Sequence, residues 1–340
     1  MSATAPAKAE PAVVRGRLHL IDYDETRLTE RDVEAVEECA PFRASSSVTW
    51  LNVDGLDDAA LFARLAEVMK LHALTLEDIQ NRNQRPKVED YGDYLYVVAK
   101  MIDVNAASER IEVEQLSLVL GENHVLTIQE RPGDAFDPVR SRIRSAAGRV
   151  RRNGADYLAY LLLDVVVDRY FHVTDWLAER IDRLEQQMAG DERPETLRGL
   201  YRLKRELIFL RRGINPMREV VAALRHAETA LIRPGTTPYL RDLYEHLVQV
   251  SERIDTARDL LGSVQDLYMT RQSNRTNTVM KIVAVFSSIF LPLNFITGVF
   301  GMNFEVMPLV HAHWGAATAF GVMLAIVIGM LWYFRRRRWL

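Results

Sequence analysis

The stretch Val279-Met280-Lys281-Ile282-Val283-Ala284-Val285-Phe286-Ser287-Ser288-Ile289-Phe290-Leu291-Pro292-Leu293-Asn294-Phe295-Ile296-Thr297-Gly298-Val299-Phe300 decides the fold of this 340-residue chain. Its only charge is Lys281, near its start, and a second run from Gly315 to Phe334 has no charge at all. Each run reaches the roughly 20 apolar residues needed to cross a hydrocarbon core of about 30 Å. Two such runs at one end of a chain are hard to cover with protein, so they predict paired transmembrane helices rather than buried core helices. Pro292 is tolerable there because packing or water in a membrane protein re-satisfies the carbonyl it frees.

Charge sets the expected topology. The loop from Gly301 to Trp314 has no Lys or Arg, Arg271 and Arg275 precede the first run, and Arg335 to Arg338 follow the second. The positive-inside rule then puts both termini in the cytosol and the short loop outside. Trp332, Tyr333 and Trp339 stand where interfacial aromatics belong. The expectation is a multi-pass protein of the inner (cytoplasmic) cell membrane.

Moving back along the chain, Pro238 is followed by no proline until Pro292, and Gly262 is the only glycine before Gly298. A continuous helix from Tyr239 to Phe300 is predicted, on the order of 90 Å long at 1.5 Å per residue. That exceeds the needs of a soluble domain and suggests a stalk entering the bilayer. Before it, Asp156 to Met188 and Glu195 to Leu224 read as long amphipathic helices, with Pro216 expected to kink or interrupt the second. Earlier still the pattern is mixed. Val48 to Val53 alternates like a half-buried strand, and Tyr94–Val98, Leu116–Leu120 and His124–Ile128 are rich in β-branched and aromatic residues. Gly121-Glu122-Asn123 suits a hairpin turn, and Asp57 to Leu71 has helical spacing with carboxylates at its start.

The predicted plan is therefore a disordered leader (1–12), a cytosolic α/β domain (13–150) and its helical hairpin region (151–236). A stalk (237–278), a first transmembrane helix (279–300), an outer loop (301–314), a second transmembrane helix (315–334) and a basic tail (335–340) follow. The leader, rich in Ala, Pro, Lys and Glu, has no apolar core and does not read as a signal peptide. The one cysteine, Cys39, cannot form an internal disulfide.

Of the 43 Lys/Arg only Lys281 and Arg335 to Arg338 lie after residue 278, and of the 46 acids only Glu305 does. The body before the spans thus carries a formal net −7 and the remainder +4. A mildly acidic body argues against nucleic acid as a partner and suits one that attracts cations. The chain has no phosphate-binding glycine loop, G-x-S-x-G, H-E-x-x-H or paired-cysteine metal motif, so no enzyme and no organic cofactor are expected.

Along the first span Asn277, Met280, Ala284, Ser287, Leu291, Asn294 and Gly298 recur at alternating steps of three and four, which sets them on one helical stripe. An intramembrane Asn is costly unless it faces protein or water. Asn294 can glue helices together, or the whole stripe can line a pore. Two spans cannot enclose a water-filled path, so a pore requires several copies around an axis. The stripe has no Asp, Glu or Cys, which bare divalent or soft ions would want. Rings of amide oxygen suit instead a cation that keeps its water, Mg2+ first, with hydrated Co2+ or Ni2+ of similar size. Met280 and Leu291 would form apolar constrictions that gate by dewetting.

The segment Phe300-Gly301-Met302-Asn303-Phe304-Glu305-Val306-Met307-Pro308, placed between two C-terminal spans, resembles the Gly-Met-Asn signature of the CorA family of magnesium and cobalt channels. Similar segments lie at Leu76–Ile79 with Gln84–Glu89, at Phe136–Arg140, and at Ser273–Asn277 with Met280-Lys281. The resemblance covers essentially everything after the leader. It implies a homopentamer with an αβα funnel domain, a stalk continuing as the pore-lining span, and an outer second span. It implies Gly301, Met302 and Asn303 at the outer mouth, and Asn277, Met280, Val283, Leu291 and Asn294 along the pore, placing Val283 rather than Ala284 inward. It also implies regulatory Mg2+ held between subunits by Asp78 with Glu77 on one copy and Asp242 on the next. Asp164 is a further candidate, and Asp266 would ring the cytosolic mouth. Ion occupancy would hold the ring closed, and loss of the ion would open it.

The chain departs from the family pattern at Leu309, where Glu is common, and at Asn294, where Thr is common. His311 and His313 near the first departure make a weak case for metal binding. Two alternatives to the Mg2+ channel stand: a Zn2+ transporter of the related ZntB type, against which Met302 argues, and a non-conducting membrane-anchored sensor or scaffold, against which the amide stripe argues.

Overall fold

The computed structural model describes residues 17–43, 45–56, 58–105, 107–190, 194–302 and 314–339. The chain divides into two compact units that meet at Gly262 and Ser263.

The first unit is built on one mixed sheet. Its strands are β1 (Arg17–Tyr23), β2 (Leu28–Val33), β3 (Val48–Asp54), β4 (Lys87–Asp90), β5 (Tyr94–Asn105), β6 (Arg110–Gly121) and β7 (His124–Gln129). They lie in the order β2-β1-β3-β7-β6-β5-β4. Every pairing is antiparallel except β3 with β7, where Leu51 faces Leu126 in parallel register. The predicted turn at Gly121-Glu122-Asn123 joins β6 to β7, with Leu120 opposite Val125. A short turn α1 (Ala40–Arg43) precedes β3, and helices α2 (Ala59–Met69) and α3 (Ala73–Gln80) follow it. Asp58 caps α2 by accepting the Leu61 N–H at 3.0 Å.

Helices cover both faces of the sheet. Phe62, Leu65, Met69 and Ile79 of α2 and α3 form one core with Leu51, Val53, Tyr96, Val98, Val119 and Leu126. On the opposite face α4 (Asp137–Arg144), α5 (Ala155–Gly190) and α6 (Pro194–His226) follow the sheet in sequence, and α5 packs on β5, β6 and β7. The result is an αβα sandwich. β3 is therefore buried on both faces, not on one as its alternation predicts. Its polar residues survive burial by pairing: the Asn52 side-chain oxygen accepts from Thr127 Oγ1 at 2.6 Å and from Gln129 Nε2 at 3.1 Å.

Pro216 does not interrupt α6, which continues to His226. An interior proline costs about 3 kcal/mol. Here Ile214, Met217, Val220 and Val221, all buried, outweigh it at about 1.5–3 kcal/mol for each large side chain removed from water. The loop after α6 is anchored by the buried carboxylate of Asp156 on α5. It accepts from the Arg233 N–H at 3.0 Å and from Thr236 Oγ1 at 2.6 Å, just where the next helix starts.

That helix, α7 (Thr237–Phe300), runs unbroken for 64 residues through Pro292, about 96 Å at 1.5 Å per residue. Its part beyond Gly262 belongs to the second unit, together with α8 (Gly315–Arg336). Both α7 and α8 are long and apolar enough to cross a membrane. The leader lies outside the described residues.

Candidate ion path and cation-binding carboxylates

Within the second unit, the span of α7 has a covered and an open side. Val285 is only 6% exposed. Ser288, Ile289, Pro292, Ile296 and Val299, on the same side at steps of three and four, are partly covered. The predicted stripe lies on the other side. At 100° per residue Asn277, Met280, Ala284, Ser287, Leu291, Asn294 and Gly298, together with the Val283 that the resemblance adds, fall within an arc of about 120° on the side away from Val285. All of these except Ala284 are exposed in the single chain, Leu291 by 72%. Val283 is 53% exposed whereas Ala284 is partly covered, which favours Val283 over Ala284 on the open side.

The polar groups on this helix differ in how they are satisfied. The hydroxyls of Thr276, Thr278 and Thr297 each donate to a carbonyl three or four residues back, at 2.9 to 3.1 Å. Such threonines are self-contained in lipid. Asn277 and Asn294 make no side-chain hydrogen bond among the described residues, so their amides need water or another chain. The helix closes with a tighter last turn, Gly301 N–H to Thr297 O at 2.9 Å and Met302 N–H to Val299 O at 3.2 Å. A Cβ on Gly301 would sit 3.2 Å from the Thr297 carbonyl oxygen, so glycine suits this close turn. Asn303, Glu305, Leu309, His311 and His313 lie outside the described residues.

The candidate cation ligands fall in different surroundings. Glu77 is exposed on α3. Asp78 beside it is partly buried and already engaged, accepting from Lys87 Nζ and from Gln84 Nε2 at 2.5 Å each. Lys87 also donates to Glu89 at 2.7 Å. Burial pulls the Lys87 ammonium down, but these two carboxylates outweigh that and raise it above its usual value. A cation at Asp78 therefore competes with a resident ammonium. Asp266 is exposed on α7, far along the sequence from either acid.

Asp164 on α5 faces a small electrostatic cluster. Burial, then the nearby charges of Asp168 and Asp242, push its carboxyl up to about 6, against the opposing pull of His246 and Arg142. His246 Nε2 lies 3.9 Å from Asp242 Oδ2, and its Nδ1 is buried without a partner. Asp168 and His246 were not expected from the sequence. Their signal is the i,i+4 spacing that sets each on the face of a named acid, Asp164 with Asp168 and Asp242 with His246. Among the described residues no three His, Cys, Asp or Glu side chains are arranged to hold a metal within one copy.

The Phe136–Arg140 segment has a structural use. Arg140 clamps the buried Asp134 with both guanidinium nitrogens, Nη1 reaching Oδ1 at 2.6 Å, and lies 5.1 Å over the Trp50 ring.

The family model for CorA-like Mg2+ transporter protein matches residues 45–336. The chain is 40% identical over 323 residues to the cobalt/magnesium transport protein CorA of Thermotoga maritima, covering 95% of this chain and 92% of that protein. Among solved structures it superimposes on the CorA magnesium transporter from Methanocaldococcus jannaschii with a TM-score of 0.82. The match covers 95% of this chain and 98% of the other at 20% identity. The full-length CmaX protein aligns with a TM-score of 0.75 at 22% identity, covering 96% of this chain and 98% of that one. At such identities these two show the shared fold alone. With the family model spanning most of its length, this chain belongs to the CorA-like Mg2+ transporter family.

Proposed function

We propose that the chain assembles as a homopentamer in the cytoplasmic membrane and conducts hydrated Mg2+ into the cytosol, with Co2+ and Ni2+ as further passengers. The observation that carries this reading is the open stripe on α7. Its amides and small residues lie opposite the covered side of the span, within a chain of a cation-transporting family. Copies set around an axis with this side inward form rings of Asn277 and Asn294 amides separated by apolar rings of Met280 and Leu291. Amide oxygens accept hydrogen bonds from a hydrated ion's water, and Mg2+ surrenders that water reluctantly. Gly301, Met302 and Asn303 form the outer mouth in this reading, and both termini lie in the cytosol. The stalk at 237–278 leads from the funnel of 13–236 into the path.

Cytosolic Mg2+ closes the channel in this scheme by bridging Asp78 and Glu77 of one copy to Asp242 of the next, with Asp164 nearby and Asp266 at the inner mouth. Among the described residues no single copy gathers three such donors, which fits sites shared between copies.

The test is ion flux into liposomes holding the purified protein, comparing Mg2+, Co2+ and Zn2+, with Asn303→Ala alongside. Mg2+ and Co2+ should enter, and Asn303→Ala should lower flux or blunt the choice among ions. A chain that conducts none of them is a sensor or scaffold, and one that conducts Zn2+ alone belongs with zinc transport.

Lys87 gives a second expectation. Removing the ammonium that occupies Asp78, as in Lys87→Gln, should let cytosolic Mg2+ inhibit flux at a lower concentration. A shift of about three- to tenfold in the inhibitory concentration is expected from one charge-assisted contact. Inhibition unchanged or weakened would take Asp78 out of the regulatory site.

A further inference from the structure

Apart from the path and its carboxylates, the first unit holds a cavity of about 820 Å³ bounded by the segment 82–86, β5, β6 and α6. Its walls oppose the character of the body around it. Five cations, Arg82, Arg85, Lys100, Arg211 and Arg212, line it against one acid, Glu130, in a chain with a formal net charge of −3. A concave surface dominated by one sign focuses its field on small counter-ions. Arg85 meets Glu219 at 2.9 Å and Arg211 meets Asp255 at 3.7 Å, and the acids of both pairs stand outside the lining.

Lys100 is built into the wall. Its Nζ donates to the Arg82 carbonyl and to Gln115 Oε1, each at 3.0 Å. Burial lowers its pKa, so an anion brought near it is favoured by relieving that cost. The guanidinium groups add planar forks that match phosphate oxygens.

Asn83, Gln84 and Asn215 add neutral polar groups to the wall, and Ile102, Val113, Ile208 and Phe209 form its main apolar part. Phe209 is 54% exposed although α6 buries neighbouring leucines fully, so its ring is presented rather than packed. It also borders a second hollow in which Arg110, Arg180, Arg202 and Arg205 outnumber Glu109 and Glu206. At this end of the cavity Pro216 supplies no N–H, so the Arg212 carbonyl one turn earlier lacks its usual i+4 donor. An aromatic face, a spare carbonyl and a guanidinium cluster are the complements of a base, its exocyclic amine and a chain of phosphates. The volume is in the range of small-molecule sites and too small for a polymer.

We propose that this cavity binds a nucleoside polyphosphate, the phosphates held by Arg82, Arg85, Lys100, Arg211 and Arg212 and the base stacked on Phe209.

The experiment measures equilibrium binding of ATP, ADP, AMP and inorganic tripolyphosphate to the purified full-length protein in detergent with EDTA present. Saturable binding is expected, weakening from ATP to ADP to AMP and with rising salt. Arg211→Gln/Arg212→Gln should weaken ATP binding by about tenfold or more, as expected for two charge-assisted contacts, with Arg212→Lys retaining part of it. Phe209→Ala should weaken ATP binding about fivefold or more while leaving tripolyphosphate unchanged, since only the nucleotide has a ring to stack. Thermal unfolding of each variant at the wild-type temperature shows that the fold is intact; Arg212→Gln alone serves if the double variant melts early. Absence of saturable ATP binding overturns the proposal, as does binding that ignores the arginine substitutions. Tripolyphosphate binding as tightly as ATP, with Phe209→Ala silent, overturns the nucleoside assignment. None of these readings depends on flux, so they stand or fall separately from the channel.

Discussion

Gly298→Phe should cut Mg2+ entry into proteoliposomes by about tenfold or more while leaving the folded protein as stable as before. Gly298 lies on the open side of α7, and a Cβ built there meets nothing within 4 Å. The position is helical, so a side chain brings no backbone strain, and leaving glycine favours the helix by roughly 0.5–1 kcal/mol. Within one copy the substitution is harmless. Around an axis every copy contributes a ring at the same level, and the aromatic side chains converge on the path. Flux should fall by about tenfold or more, because an apolar plug offers no partner for a hydrated ion's water. Gly298→Ala should fall in between. Leu324→Phe, on an exposed site of α8, is the matched control and should conduct normally. If Gly298→Phe conducts like the wild type, the stripe does not face the ions and the proposed path is wrong.

The parts of the fold that were legible were those whose pattern comes from one dominant cause. The long helices α5, α6 and α7 announce themselves by length and by scarce Gly and Pro. The inner strands β5, β6 and β7 announce themselves by β-branched and aromatic runs, which burial on both faces demands. The edge strands were missed. β2, Leu-Thr-Glu-Arg-Asp-Val, is charged as an exposed edge should be, and β4, Lys-Val-Glu-Asp, spans four residues. Neither has enough apolar content to rise above a loop. At Pro216 the local rule that proline ends a helix yields to its buried neighbours, and α6 runs on. β3 was assigned one buried face because Thr49 and Asn52 look solvent-facing until their partners are known. Thr49 Oγ1 donates to Asp22 at 2.8 Å, and Asp22 lies 27 residues away in sequence.

The site divides in a similar way. Helical periodicity alone sets the stripe apart, because a single straight helix fixes its own faces. Periodicity puts Ala284 on the stripe and the resemblance puts Val283 there; their exposure depends on which side the rest of the unit covers, and it is Val283 that is left open. The carboxylates were harder. Asp78 is named by its surroundings in sequence, but its capture by Lys87 depends on β4 lying beside α3, a pairing no local pattern announces. The gathering of Asp164, Asp168, Asp242 and His246 joins residues of α5 and α7 about 80 positions apart, and only the folded chain brings their charges into range.

The largest effect on stability is expected at Arg140. Asp134 is 4% exposed in its side chain and Arg140 11%, so the pair is removed from water. Burial pushes the Asp134 carboxyl up, but Arg140 outweighs it, with the Phe136 N–H and Gln129 assisting, and holds it below the usual carboxylate range. Arg140→Met keeps much of the stem over Trp50 and leaves the charge without its partner. Breaking a buried pair from one side costs about 3–5 kcal/mol. For a unit of this size that lowers the melting temperature by roughly 10 °C. The pH dependence gives the sign. In the wild type the folded-state pKa of Asp134 is depressed, so its contribution is present above the unfolded-state value and is lost as pH falls through the folded one. In Arg140→Met the carboxyl rises instead, and taking up a proton relieves the stranded charge. The gap between variant and wild type is therefore widest near neutral pH and narrows towards acid. Adding Asp134→Asn to Arg140→Met should recover part of the loss at neutral pH, since a neutral amide still accepts from the Phe136 N–H, now 2.9 Å from Asp134 Oδ1. Thermal unfolding of the wild type and the two variants from neutral pH to about pH 4.5 checks this. A gap that widens on acidification, or an Asp134→Asn addition that worsens the loss, would mean that the guanidinium acts only by packing on Trp50.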